Sequence, residues 1–575
     1  MRSALVFFLV LLAIAASGLF GADEEVGSFW ESLFPRDWPA GGFHLPGIRP
    51  QSSVPFALGD PLSGPGVGGL GFPWSSPRHG GKTLAGVPAG KKGGRAILVL
   101  SGFILFETVR YWVESTKWRE DWNFRLTWED QKIRFFTLQA NLFDSNPFVT
   151  NWTHLISGHL YYSMGRYYNL NQLESLLLSV GSSLWWEYVT EWREVISLND
   201  NLFSGAGGIS LGEPLFQIGS YFSRRRGVLN KVLGGIFNPV IAFNDAIAGK
   251  KKGPRQETTD SGKPRMDLTL GPQRRYGMSG GQAAAPLFHV GMEAIYLTIP
   301  GFGDPLQGDV KRWLSNTLMS EVSLSMVVGD ARVQEYGFIS RAVLCGYFRQ
   351  KLQPLALAPW SGYNYFLGLA TSFDLFKKKA SAYYDKGEYH YDFAAGERAP
   401  LPTAFTDKFA AINLIGPVFD LSLYSGSARF RFSLSGSIDF ALVNALALND
   451  YSLAHDIYEP RMKTTLVHYG YYYAAGATLA AAASLQVGKI RFSGQCKHQA
   501  YGSLEGLDRF QAKVADDAHL RDSRLSYRLS LSHAVAGTPL ALGVAVEGFR
   551  RWGSLNEVSR RESEQRARVQ LTFSF

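Results

Sequence analysis

The sequence predicts an α+β membrane protein: an N-terminal helical module, then an antiparallel transmembrane β-barrel of about 12 strands, with a range of roughly 10–14. Three observations predict it. The chain opens on a short apolar run behind a positive residue. Its second half alternates apolar and polar residues with period 2. Its final residues, ARVQLTFSF, keep that alternation up to an aromatic.

Composition narrows the field. The chain has 575 residues and a net charge of +9; 46% of residues are apolar, 14% aromatic and 19% charged. So many aromatics exclude a wholly disordered chain. Two distant cysteines, Cys345 and Cys496, exclude a disulfide scaffold. After the first residues no apolar run approaches the roughly 20 a helical span needs, which excludes a helical transporter.

The N-terminus has the layout of a secretory signal. Arg2 precedes Ala4–Ala16, all apolar, and Ala15, Ala16, Ser17 and Gly18 follow. Residues 1–18 are read as a signal peptide cut after Ser17 or Gly18. Residues 19–95 are read as a Gly/Pro-rich linker, since GGFHLPGIRPQ and GPGVGGLGFPW cannot pack a core.

Order is expected from Ala96. AILVLSGFILFETVRYW predicts a helix of about 17 residues, too short and too interrupted by Glu107 and Arg110 for a span, hence buried or lying on a membrane surface. Trp112, Trp118, Trp122 and Trp128 suit packing at a water–lipid boundary. Helical periodicity continues through ESLLLSVGSSLWWEYVTEW and a short helix at 230–243. The module spans 96–250, periplasmic or plugging the barrel. The charged stretch 251–265 is a linker.

From residue 266 to 575 the period is 2. Phe430, Phe432, Leu434, Ile438 and Phe440 alternate with Arg431, Ser433, Ser435, Ser437 and Asp439. Similar segments begin near 289, 321, 337, 363, 412, 428, 469, 489, 523, 539 and 567. Gly329–Asp330, Ser425–Gly426–Ser427 and Gly488–Lys489 are hairpin signals. Ala474–Ala483 is ambiguous between strand and helix. In a barrel the apolar face meets lipid and the polar face lines the lumen. Cys496 and His498 are read as lying on opposite faces of one strand, a poor metal pair.

The terminal strand puts Val569, Leu571, Phe573 and Phe575 on one face. It resembles the assembly signal of bacterial outer-membrane proteins, which implies export and recognition by the barrel-assembly machinery. Outer-membrane lipids are then the other expected partner, and nucleic acid is excluded.

One stretch is dense in polar residues among aromatics. It holds Asn146–Pro147–Phe148, Tyr161–Tyr162, Arg166, Ser183–Leu184–Trp185–Trp186–Glu187–Tyr188, Glu191, Ser197, Asn199–Asp200, Gly207–Gly208 and Leu211–Gly212–Glu213. It resembles the bacterial domain-of-unknown-function 3943 family over roughly 140–245. The resemblance implies an envelope protein with a helical module, often followed by a barrel, and no known activity. Val149–Thr150–Asn151 departs from the family pattern, where a His-Pro pair is expected.

Read physically, Glu187 and Glu191 are four apart and share a helix face. Asn199–Asp200 suits a helix cap. Gly205, Gly207 and Gly208 allow close helix approach. The candidate cluster is His154, His159, Arg166, Glu187, Glu191, Asn199, Asp200 and Glu213. Carboxylates with histidines suit metal binding or acid–base work. The plainer reading is internal pairing, Arg166 with Glu187 or Glu191. No nucleophile motif, phosphate loop or HExxH is present, so no catalytic residue, metal or cofactor is assigned. The expected role is passage of solutes or lipids, or envelope maintenance. The alternatives are a barrel-anchored lipid-modifying enzyme using 154–213 and a surface adhesin.

Deleting Phe575 is expected to impair membrane assembly more than deleting a residue of 41–94. Equal assembly of the two truncated chains, measured by membrane fractionation, would contradict the terminal-strand reading.

Overall fold

The computed structural model describes residues 91–114, 122–225, 227–247, 264–277, 287–299, 302–303, 308–329, 332–353, 360–378, 389–392, 397–400, 407–455, 464–508 and 518–574. The signal peptide, nearly all of the linker, Lys250–Lys252, Trp118 and Phe575 lie outside the described residues.

Residues 264–574 form a closed barrel of 12 strands. They are β1 (Pro264–Gly277), β2 (Leu287–Leu297), β3 (Asp309–Gly329), β4 (Arg332–Gln353), β5 (Ser361–Lys378), β6 (Asp407–Ser425), β7 (Ala428–Asn444), β8 (Tyr471–Val487), β9 (Ile490–Ser503), β10 (Leu520–Ala534), β11 (Leu540–Leu555) and β12 (Val558–Ser574). Neighbours pair antiparallel, and β12 closes on β1 with Thr572 opposite Thr269. Closure leaves no sheet edge with unpaired backbone groups, the condition lipid imposes. The ambiguous alanine run is strand: Ala481 pairs with Leu434 and Cys496. The third and last strands start earlier than expected, at Asp309 and Val558 rather than near 321 and 567. Their early residues, such as Lys311–Arg312 and Arg560–Arg561, are charged and hide the alternation.

The two faces follow the sequence pattern. Leu531, Val544 and Val569 point outward and are exposed. Inward, ion pairs reach across the lumen. Arg566 on β12 meets Glu335 on β4 at 2.6 Å, and Arg524 on β10 meets Asp407 on β6 at 2.9 Å. In each pair the partner strand is four positions around the wall. Apolar clusters fill both lumen ends. Ile299 and Phe302 fold in against Phe348 and Phe366 at the end carrying the chain ends of the barrel, the terminal end. At the loop end, α8 (Leu448–His455) and α9 (Thr464–Tyr469) set Leu448 and Leu466 against Tyr472, Leu520 and Leu555.

The helical module comprises α1 (Gly93–Val113), α2 (Trp128–Phe136), α3 (Phe148–Tyr167), α4 (Gln172–Trp185), α5 (Gly208–Ser223), α6 (Val228–Phe237) and α7 (Pro239–Ile247). Asn171 and Glu174 form a capping box at the start of α4. The expected helix at 230–243 is two helices, because Pro239 disfavours helical backbone at Asn238. The N-terminal helix has 21 residues, longer than expected. Gly158 and Gly208 do bring helices together: a Cβ on Gly158 would sit 2.1 Å from the Ser204 carbonyl oxygen.

The module does not plug the barrel. It packs on the outer wall. Phe143 stacks on Phe440 and Tyr473, and a Cβ on Gly207 would touch Ile412. These wall residues alternate with Asp439 and Ala411, whose side chains face the lumen.

Hydrogen-bond closure predicts that unheated protein migrates faster on denaturing gels than heated protein, and resists carbonate extraction. Solubility of the full chain without detergent would contradict it.

Candidate functional site

The eight candidate residues separate into two clusters and one lone histidine. The first cluster surrounds the connection from α4 to α5, near the loop end. The chain leaves α4 through a π-turn, Trp186–Thr190, and enters α5 through a second one, Asn201–Ala206. Such turns are uncommon and often mark functional segments. Between them Ser197 caps the short turn Leu198–Asp200, its hydroxyl accepting from the Asp200 amide at 3.3 Å. The cap is thus Ser197, not Asn199 or Asp200, because those two side chains turn inward to other partners.

Asn199 is fully buried. Its amide donates to Asn151 Oδ1 at 2.5 Å and its own Oδ1 accepts from the Asp144 backbone at 2.8 Å. Asn151 donates to the Tyr471 hydroxyl at 2.7 Å, and Tyr473 donates to the Asp144 carbonyl at 2.6 Å. Asn151 and the two wall tyrosines therefore latch the cluster onto β8. His154 Nε2 stands 3.5 Å from Asp200 Oδ1, the only candidate pair here with an acid–base geometry among the described residues.

Glu187 accepts from the Ser197 amide at 2.8 Å, and Glu191 from the Trp186 indole at 2.8 Å. Neither meets Arg166. Burial, then neighbouring carboxylates, push the Glu187 and Glu191 carboxyls well above the usual range. Burial also raises Asp200, opposed by His154.

A residue the sequence did not single out organises this region. Arg134, near the end of α2, is 0% exposed. Its guanidinium donates to the carbonyls of Glu187, Tyr188, Glu191 and Glu194 at 2.7, 3.1, 3.1 and 2.9 Å. It satisfies carbonyls that the π-turn leaves free. An arginine in the last turn of an amphipathic helix gives no sequence signal for that task. Tyr111 on α1 also donates to Glu194.

The second cluster lies further toward the terminal end. Arg166 on α3 pairs with Glu213 on α5 at 2.9 Å, both nearly inaccessible. Glu213 also accepts from Tyr162 and from Gln217, both at 2.6 Å. Arg166 reaches out to Asn316 of β3 at 3.0 Å. The expected partners Glu187 and Glu191 are wrong because the π-turn and chain reversal carry them to the other end of the bundle. His159 sits apart, buried in α3, with Nδ1 3.1 Å from Ser163 Oγ.

No group of three metal-ligating side chains occurs among the described residues. Cys496 and His498 share the outward face of β9, contrary to the sequence reading, since residues two apart in a strand point the same way. The buried side chains of the two clusters are thus arranged as internal braces, with His154–Asp200 as the exception.

The class defined here is a closed antiparallel 12-stranded barrel carrying a polar-cored helical module on its outer wall. Residues 140–240 match the family described as a domain of unknown function, DUF3943. No curated protein matches the chain. The fold is similar to several solved outer-membrane barrels. The NanC porin is 8% identical, covers 53% of this chain and 98% of its own, with a TM-score of 0.23. OmpT of Vibrio cholerae is 9% identical, with coverage of 55% and 98% and a TM-score of 0.19. Outer membrane phospholipase A of Escherichia coli is 9% identical, with coverage of 56% and 94% and a TM-score of 0.21. Nothing about this chain's role follows from likenesses at that level.

Two substitutions separate the clusters. Glu213→Gln strips Arg166 of its buried counter-charge and is expected to cost about 3 kcal/mol. Glu187→Gln keeps an acceptor for Ser197 and removes a carboxyl whose charged form burial disfavours, so it costs about 1 kcal/mol or less. The signs with pH follow. Carboxyls raised in the folded state hold protons that the unfolded chain has released. Module stability is therefore highest at low pH and falls as pH rises from the ordinary carboxylate range. Glu187→Gln flattens that fall. Urea titration of the full chain in detergent, followed by tryptophan fluorescence at several pH values, reads both. Equal destabilisation by the two variants would contradict the assignment.

Proposed function

We propose that this is an exported outer-membrane barrel that does not conduct solutes and that serves the envelope as a rigid mount for its helical module. The observation that carries this reading is the apolar filling at both ends of the lumen. Phe302, Phe348 and Phe366 occupy one end, and Leu448, Leu466 and Tyr472 the other. Against the loop-end cluster Arg524 and Arg551 clamp Asp407 and Asp522 at 2.6–2.9 Å. A solute path needs a continuous polar passage, and the apolar residues at the two ends interrupt one.

The signal-like N-terminus supports export, and the apolar outward face supports a bilayer location. Passage of solutes, the other half of the expected role, is disfavoured by the same filling. The polar cluster reads as bracing for the module, with the His154–Asp200 pair the part nearest to acid–base chemistry.

Planar-bilayer recording of the purified full chain tests the proposal. No stepwise conductance above the bare membrane is expected. Stable channels of porin size in the wild-type protein would overturn it.

A further inference from the structure

The outer wall of the barrel is not equally bare all round. On β8 to β12, Leu485, Leu531, Val544 and Val569 are about half exposed. On β2 to β6, the outward residues Ala294, Val322, Ala342, Phe373 and Ile412 are essentially inaccessible. They face the same way as the exposed set, since Ala294 pairs with Val322 and Phe373 with Ile412 across the ladder. The helical module covers them, and so occupies the position that lipid takes elsewhere on the wall.

The module runs along that wall rather than across its end. α5 begins against Ile412, near the loop end, and finishes with Tyr221 against Tyr296, 6.4 Å between ring centroids, near the terminal end. α3 runs beside it, from Phe148 against Tyr471 to Arg166 against Asn316. The back of the module is apolar. On α1, Ile97, Leu98, Leu105, Phe106, Val109 and Val113 are exposed, Leu98 to 72% and Phe106 to 65%. On α4, Leu173, Leu177, Leu184 and Trp185 are exposed too.

Length and charge placement agree. The 21 residues of α1 rise about 31 Å, and its uncharged stretch, residues 96–106, about 16 Å of that. No charge falls between Arg95 and Glu107. Lys91 pairs with Glu174 at one end of the helix. At the other end Arg110 pairs with Glu107, and Trp112 stacks on Trp192 at 5.5 Å, an aromatic girdle of the kind found at membrane interfaces.

We infer that the helical module is itself embedded in the bilayer beside the barrel, with α1 and the outward face of α4 in contact with lipid acyl chains. The occupant of this apolar face is lipid, because the face continues the lipid-facing wall of β7 to β12 and extends over the same thickness. The buried clusters are then what a polar core must be in such a place: closed among its own partners. This rests on the barrel lying in a bilayer, so the test carries a control on the bare wall.

The full chain, with Cys345 and Cys496 replaced by serine, is reconstituted into phosphatidylcholine–phosphatidylglycerol vesicles. Spin labels are placed by Leu98→Cys and Phe106→Cys on α1, Val544→Cys on the bare wall, and Lys91→Cys at the helix start. Correct folding of each is checked by heat-dependent migration. Collisions with oxygen and with a water-soluble nickel complex are compared. Leu98→Cys and Phe106→Cys are expected to lose nickel accessibility to the level of Val544→Cys, while Lys91→Cys keeps it. Nickel accessibility at Leu98→Cys and Phe106→Cys with none at Val544→Cys overturns the inference and leaves the barrel reading standing. Accessibility at all sites overturns the barrel reading itself. An unlabelled check uses dibrominated lipid: wild-type tryptophan quenching should drop on Trp185→Phe, and no drop counts against lipid contact at α4.

Discussion

Everything in this protein depends on one closure, the pairing of β12 with β1. Lipid offers no partner to a backbone amide, so a sheet that faces it must have no edge. Once the wall closes, each strand needs apolar residues on one face only. The other face is free to carry charge, and it does: Arg275, Glu335, Glu564 and Arg566 meet inside. The same closure fixes which surface the helical module can use. Apolar clusters occupy the two lumen ends, and the module's described residues lie against the outer wall.

The module's core rests on close helix approach and internal pairing. Its helices approach through glycines, as at Gly158 and Gly208. Its polar groups are turned to one another: Arg166 to Glu213, Asn199 to Asn151, Arg134 to four backbone carbonyls. An unpaired polar group in that setting costs several kcal/mol, on the order of 3 or more. The network is therefore as much internal bracing as a candidate site. Among the described candidate residues, His154 and Asp200, near the loop end, keep a partly open geometry.

Much of this was legible beforehand and some was not, for definite reasons. The alternation around Phe430–Phe440 marks a strand because period 2 has no helical counterpart. The start of β3 was missed because Lys311 and Arg312 at its terminal end break the apolar rhythm. The polar cluster could be found by density, but its pairing could not. Glu187 and Arg166 look like partners along the chain, whereas two π-turns and a chain reversal give Arg166 to Glu213. Arg134 was invisible, since its task depends on carbonyls some 53–60 residues away.

The sequence by itself determined the class of wall and an approximate strand number, because a repeat of apolar and polar residues marks the two faces of each strand without reference to any neighbour. It also determined that an apolar, aromatic helical module precedes the barrel. Only the tertiary structure decided where that module sits. An apolar helix face pairs equally well with a lumen, a partner or a wall, and which surface is free depends on cross-lumen contacts such as Arg524 with Asp407. Those contacts join strands four apart around a closed ring, and no local pattern in the chain records a distance of that kind.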